Sequence, residues 1–396
     1  MMISPRIFLL AALVSLQLPA ATAQNQTLEA WMLGNGVKAN SPDTIFNACI
    51  SGFDADVLEV WYTPMDVWVV ANSLPSHSLE PFGSRTEFPP ATDNTWRLSR
   101  TPPSTEGAGD GLALAAIGIT VNGVQLFSWF DATSYNDLDI WNYIAQLSRR
   151  PDLDVNGGHP VPGGMTRNAN GHDTFAHTHR WTDDINHTHD DDTAEDGSTR
   201  SGTYTEGGPY HYHAYPVQLG AQLGDTGAQH SPLLGFAFDG NPIYGPYGYA
   251  NTNGTGGIIR MEPSYQLRNI TNRHSIIDDT GTTQALMPAE FGPNINMMNP
   301  LGTFREDFYY AAGSGHLDEH NGRFAVTPEF PSGVYAYHFT IDSMGDSVYP
   351  FSVGPDEYYS NAIAENTGMG AGNSMIPPVA IMYTGGASVD NWLSYE

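Results

Sequence analysis

The sequence holds a single cysteine, Cys49, among 396 residues. An intramolecular disulfide is therefore impossible, as are a thiolate zinc site and an iron–sulfur cluster. Cys49 has no local pattern of a papain-like nucleophile and reads as a buried structural thiol. Basic residues are scarce as well. Fifteen Lys+Arg stand against 43 Asp+Glu, a formal charge of −28. That excess repels nucleic acid and anionic lipid headgroups. Beyond the N-terminus no apolar run approaches the ~20 residues of a membrane-spanning helix. A nucleophile elbow, a P-loop, a dinucleotide fingerprint and a His-Glu-x-x-His motif are all missing. So is an Asp-x-Asn-x-Asp-Gly calcium loop, and Asp190 to Asp192 read as solvated charge. The many carboxylates contain no pair that sequence alone singles out as glycosidase-like.

What is present begins with an export signal. Arg6 precedes an uncharged, mostly apolar stretch from Ile7 to Leu18, followed by Pro19 and the small-x-small pattern Ala21-Thr22-Ala23. Residues 1–23 read as a signal peptide, and the mature chain as secreted, periplasmic or extracellular. With 40% hydrophobic residues and 11% aromatics the mature chain has ample material for a core. The 42 Gly and 28 Pro argue against a helical bundle. Short β-branched and aromatic runs predict strands at 56–62, 66–71, 111–121, 124–130, 233–238, 333–341, 349–353 and 379–383. Asn122-Gly123 predicts a two-residue type I′ hairpin turn. Apolar spacing predicts a helix over 138–150, and a second, weaker helix is expected over 357–365. The fold class is mainly β: an irregular, sandwich-like single domain with few short helices and long loops. Residues 24–54 read as an N-terminal extension and 356–396 as a C-terminal extension packed on the domain. A polar stretch over about 160–208 reads as a surface insertion.

Histidine is the conspicuous residue. Nine of the 14 lie between His159 and His230, and three pairs are spaced His-x-His: His177/His179, His187/His189 and His211/His213. In a strand, residues i and i+2 project to one face, so such a pair aims two imidazoles at one region. The context separates the pairs. His211 and His213 alternate with tyrosines in Tyr210-His211-Tyr212-His213, which puts phenols on one strand face and imidazoles on the other. The pairs at 177–189 sit among aspartates in the polar insertion and read as a solvated His/Asp loop, with metal gathering as the sharper alternative. An imidazole set without Cys or a neighbouring Met suits Cu or Zn. Asp239, in Asp239-Gly240-Asn241-Pro242, reads either as an Asx-turn residue or as an acidic partner of the histidines, orienting them or acting as an acid/base.

Tyr210-His211-Tyr212-His213 resembles the motif of the YHYH protein family. Gln229 to Tyr249 resembles the block that follows it in that family, with His230-Ser231-Pro232, Asp239-Gly240 and Pro242-Ile243-Tyr244-Gly245. Ala71 to His77, Gly118 to Phe127, Asp154 to Pro160, Tyr335 to Tyr337 and Tyr349 to Phe351 are similar to other family segments, so the likeness spans about 55–355. The resemblance implies an exported protein and a recurring histidine set, here His77, His159, His211, His213 and His230. It brings no activity with it. The insertion after His159 departs from the family pattern, and so does His338, which stands where members usually carry an aromatic or aliphatic residue. The leading expectation is a transition metal, Cu or Zn, held by His211 and His213, with His77 and His230 completing the set and His159 as a fifth member, and with metal-dependent catalysis if a position stays open. The alternatives are a secreted glycan- or protein-binding module with structural histidines, and an extracellular metal scavenger fed by the 172–189 loop.

Overall fold

The computed structural model describes residues 27–33, 57–77, 91–112, 115–148, 153–160, 208–278, 281–367 and 371–384, with short pieces at 37–38, 54–55, 87–89, 166–167 and 204–206. Two sheets dominate. The larger has eight strands, in the order Gly158–Pro160, Tyr210–Tyr212, Gln125–Phe127, Ala116–Thr120, Leu233–Ala237, Pro242–Tyr244, Val334–His338 and Gly322–Ala325. The pairings of Tyr210–Tyr212 with Gln125–Phe127 and of Pro242–Tyr244 with Val334–His338 are parallel, and the rest are antiparallel. The smaller sheet is fully antiparallel, in the order Ile381–Met382, Val57–Tyr62, Asp66–Ala71 and Asn94–Ser99.

Both sheets feed one core. Val60, Val67, Val69, Trp96 and Leu98 of the small sheet join Ile119, Leu126, Phe236, Tyr335 and Tyr337 of the large one in a single apolar cluster. Trp96 stacks on Phe238 with ring centroids 4.9 Å apart. The β-branched run Val67, Val69, Val70 suits a pleated surface that is buried along most of its length. The mainly β expectation therefore holds, and most predicted strands are present within a few residues of their expected ends.

The helix expected over 138–150 is not formed. Asn136, Asp137 and Asp139 take positive φ of 58°, 56° and 53°, which stops any helix before it starts. Asn142–Ile144 pairs instead with Phe130–Ser134, and only Ala145–Ser148 makes a helical turn. Two members of the supposed apolar stripe, Leu138 and Leu147, are exposed. Neither is there a helix over 357–365. Its backbone N–H groups are claimed from outside: Tyr358 by the Asp110 carbonyl, Tyr359 by the Tyr337 hydroxyl, Ser360 by Asp239 and Ala362 by the Asp110 carboxylate. A short 3₁₀ turn, Ala364–Asn366, is all that remains. The stretch 349–353 is no strand either, since Pro350 lacks an N–H and Phe351 takes φ 74°. At the 120–124 hairpin only Gly123 has positive φ, and its N–H donates to the Thr120 carbonyl. That is a type I turn closed by a left-handed glycine, not type I′. Asn122 is freed to bury its amide in the interior.

Between residues 261 and 310 the described chain contributes only two-stranded pairs, and a buried ion pair ties it together. Arg273 and Asp307 are wholly buried and meet through two parallel hydrogen bonds of 2.8 Å. The guanidinium also donates to the carbonyls of Pro293, Asn299 and Pro300 and lies 4.8 Å from the Phe304 ring centre. Asp307 accepts from the N–H groups of Gly302 and Phe304. Arg273→Ala strands that carboxylate, and a loss of about 3–5 kcal/mol is expected from a buried pair broken on one side. Urea unfolding of the variant measures it, and a loss under 1 kcal/mol would show that the pair does not organise this segment.

Candidate metal centre

Three of the histidines converge because of strand register. Gly158–Pro160 and Tyr210–Tyr212 pair antiparallel, with His159 directly opposite His211. Directly opposed residues share a face, and His213 lies two residues beyond His211 on that same face. The three rings are 2–4% exposed. Ring centroids are 4.6 Å apart for His159 and His211, 5.4 Å for His159 and His213, and 4.8 Å for His211 and His213. One nitrogen from each ring lies within 4.8 Å of the other two. Phe127 stacks on His211 at 4.0 Å and closes the group from the side.

The partners of the rings fix their orientation. His211 Nδ1 lies 3.1 Å from the Pro209 carbonyl oxygen, and His213 Nδ1 lies 2.7 Å from that of Ser128. A carbonyl only accepts, so each Nδ1 carries the hydrogen and each Nε2 keeps its lone pair when the ring is neutral. The two Nε2 atoms then face each other at 3.1 Å. Two lone pairs at that distance repel unless a cation lies between them. Two nitrogens bound to one ion at about 2.0–2.1 Å stand ~3.3 Å apart at a tetrahedral angle, close to the spacing here. An N–H bonded to a backbone carbonyl is also the outer support that metal-binding histidines use. The donor set thus fits a transition metal. Burial, followed by the neighbouring His213 and His159, pushes His211 well below the ordinary histidine range, which keeps it neutral.

The tyrosines of the same strand anchor its opposite face. The Tyr210 hydroxyl donates to Asp154 Oδ2 at 2.6 Å. Asp154 Oδ1 accepts from the N–H groups of Asn156 and Gly158, which shapes the turn that delivers His159. Burial pushes the Asp154 carboxyl up to about 6, against the pull of these donors. The Tyr212 hydroxyl receives the Asn122 amide at 3.1 Å and lies 2.7 Å from His77 Nε2. His77 Nδ1 is 3.2 Å from the Asn156 amide nitrogen, so both of its ring nitrogens are engaged.

His77 therefore belongs to the tyrosine face and is not brought to the trio. His230 stands apart too. Its Nδ1 bonds the Ser231 carbonyl at 2.8 Å, and its ring lies beside Tyr244, Tyr249 and His338. Of the five expected ligands, the structure groups His159, His211 and His213. Asp239 serves as an Asx-turn residue. It accepts from the Asn241 N–H and amide, from the Tyr337 hydroxyl at 2.7 Å and from the Ser360 N–H. Those bonds tie two strands and the C-terminal segment together, and no histidine is among them. The His/Asp loop at 172–189 and Cys49 lie outside the described residues.

A family model described as YHYH protein matches residues 95–345. The chain belongs to the YHYH protein family. No curated protein and no solved structure matches it. The match includes the trio and His230 and leaves out His77. In this YHYH protein the name-giving strand works as two half-motifs, tyrosines that anchor and histidines that gather. Sequence reasoning missed the supports, Asp154, Asn122 and Asn156. The run Asp154-Val155-Asn156-Gly157-Gly158 did carry a turn signal for Asp154 and Asn156, and Asn122-Gly123 one for Asn122.

Gly158 is a sensitive point. A Cβ there would collide with the Tyr210 ring and hydroxyl and would lie 2.9 Å from the His211 carbonyl oxygen. Gly158→Ala should cost about 1–3 kcal/mol by overpacking. Urea unfolding that left stability unchanged would refute the tight seat of Tyr210.

His338 offers a pH readout. Burial, with the nearby His230 and Arg323 adding to it and the Gly245 carbonyl opposing, lowers it to about 3. Folded, it stays neutral down to about 3, whereas an unfolded histidine takes up a proton below about 6.5. The unfolded state then binds more protons in that window, so stability from this residue is lost as pH falls. Buried carboxyls such as Asp154 act in the opposite direction. The effect is therefore read as a difference between two proteins. Between about pH 6 and pH 4 the wild type should lose up to ~1.4 kcal/mol per pH unit relative to His338→Asn. Parallel stability curves would contradict this.

Proposed function

We propose that this YHYH protein is an exported metal-binding protein that holds one Cu or Zn ion through His159, His211 and His213. The supporting observation is the pair of Nε2 atoms facing each other at 3.1 Å while both Nδ1–H groups are committed to carbonyls. His159, opposite His211 in the ladder, is the third donor. Burial of all three rings favours an ion that is retained over one exchanged freely with solvent. The anchors do the positioning. The carbonyls of Pro209 and Ser128 fix the ring tautomers, Phe127 limits ring rotation, and Asp154 sets the turn that carries His159. A His-bound Cu or Zn with an open position supplies Lewis acidity toward a bound water or a carbonyl. The export reading is carried by the N-terminal pattern from Arg6 to Ala23.

Metal analysis of the purified mature chain tests the reading. Near-stoichiometric Cu or Zn is expected in the wild type, reduced by one equivalent in a His211→Ala/His213→Ala double variant. His77→Gln should retain the metal, because His77 lies on the other strand face. A double variant with the metal content of the wild type would overturn the assignment.

A further inference from the structure

A second group of donors lies far along the chain from the trio. Glu106, Glu319 and His320 each present one ligand atom, and these atoms lie within 4.8 Å of one another. Exposed carboxylates often cluster without consequence, so the weight falls on His320. Its side chain is only 8% exposed. Nδ1 lies 3.3 Å from the Glu357 carbonyl oxygen, which can only accept, so Nδ1 carries the hydrogen. Nε2 is buried and has no hydrogen-bond partner. It points toward Glu106, whose Oε1 is 3.7 Å away, too far for a hydrogen bond. When the ring is neutral, a buried lone pair thus lies within reach of two carboxylates, of which Glu319 also takes the Tyr310 hydroxyl while Glu106 is left facing the ring. Leaving such an atom unsatisfied costs about 1–3 kcal/mol, and a shared cation removes the conflict.

The backbone holds these groups in place. Residues 318–322 form a tight turn in which the Asp318 N–H bonds the Gly322 carbonyl and Asn321 takes φ 61°. The Asp318 carboxylate accepts from the His320 N–H and from the Tyr335 hydroxyl, so it supports the turn and is already engaged. Glu106 is set by its neighbour Gly107, whose N–H bonds the Tyr359 carbonyl at 3.0 Å. The site therefore rests on two segments that the fold brings together.

We propose that Glu106, Glu319 and His320 form a second cation site, for a divalent transition metal of the Zn²⁺ or Mn²⁺ type. One imidazole and two carboxylates make a mixed nitrogen–oxygen set, which suits these ions better than Ca²⁺ or Mg²⁺ with their all-oxygen shells. Unlike the trio, two of its three ligands are exposed to solvent. It is consequently the site that exchanges its ion with the medium, and the chain's net charge of −28 draws cations toward it.

The test uses Zn²⁺ alone as the probe, on the full mature chain stripped with chelator. Bound Zn²⁺ is counted by equilibrium dialysis in the wild type, in Glu106→Gln/Glu319→Gln and in His211→Ala/His213→Ala. The Glu double variant should bind one equivalent fewer than the wild type, and the His double variant should keep the weaker, exchangeable equivalent. Both glutamates are exposed and Gln is nearly isosteric, so metal-free melting temperatures should agree. The second site stands if the Glu variant loses an equivalent even when the His variant loses none, which separates it from the assignment of the trio. Equal Zn²⁺ binding by wild type and the Glu double variant would overturn it. An equivalent replaced fully by Ca²⁺ at equal concentration would also overturn the transition-metal class.

Discussion

The two-residue alternation of one short strand governs much of what surrounds it. Tyr210 and Tyr212 face one way and are tied by Asp154, Asn122 and His77. His211 and His213 face the other way and are tied by backbone carbonyls. A slip of one residue would exchange the two sets, placing phenols against the Pro209 and Ser128 carbonyls and imidazoles against the Asp154 turn. Every hydroxyl and ring nitrogen in those networks would then lose its partner. The register is thus specified by polar contacts on both faces, in a part of the molecule where hydrophobic pattern alone does not distinguish them.

Much of this was legible in the residues. The His-x-His spacing beside alternating tyrosines already implied a strand with two chemically distinct faces, and the β-branched runs located most of the sheet. Convergence of His159 on His211 was not legible from spacing, because it depends on an antiparallel ladder between segments separated by the polar insertion. The same ignorance of three-dimensional placement put His77 in the set. Its proximity to the motif is real, but it approaches the tyrosine side. His230 went to a different neighbour, His338. Helices were over-read at 138–150 and 357–365 for one reason. In both places tertiary hydrogen bonds set the backbone path.

The molecule carries few cations, and it spends them selectively. Arg273 is buried against Asp307 and three carbonyls, and so fixes the path of a long segment that has little sheet of its own. The interior elsewhere is rich in hydroxyl–carboxylate pairs: Tyr210 with Asp154, Tyr337 with Asp239, Tyr335 with Asp318 and Tyr244 with Glu329. Burial raises the carboxyl in each of these pairs. A chain with a large excess of acids thereby stores several of them inside, each satisfied by a neutral donor in place of a scarce arginine or lysine.

Among the described residues, the strand that contributes His159 is the outermost of its sheet and has a single neighbour. It is three residues long and ends in Pro160, which has no N–H to give. Such a margin is held by few main-chain bonds and is the first part of a sheet to peel away. An ion gripped jointly by that strand and the next would act as a rivet at the hem of the sheet, making detachment of the rim and release of the ion one and the same event.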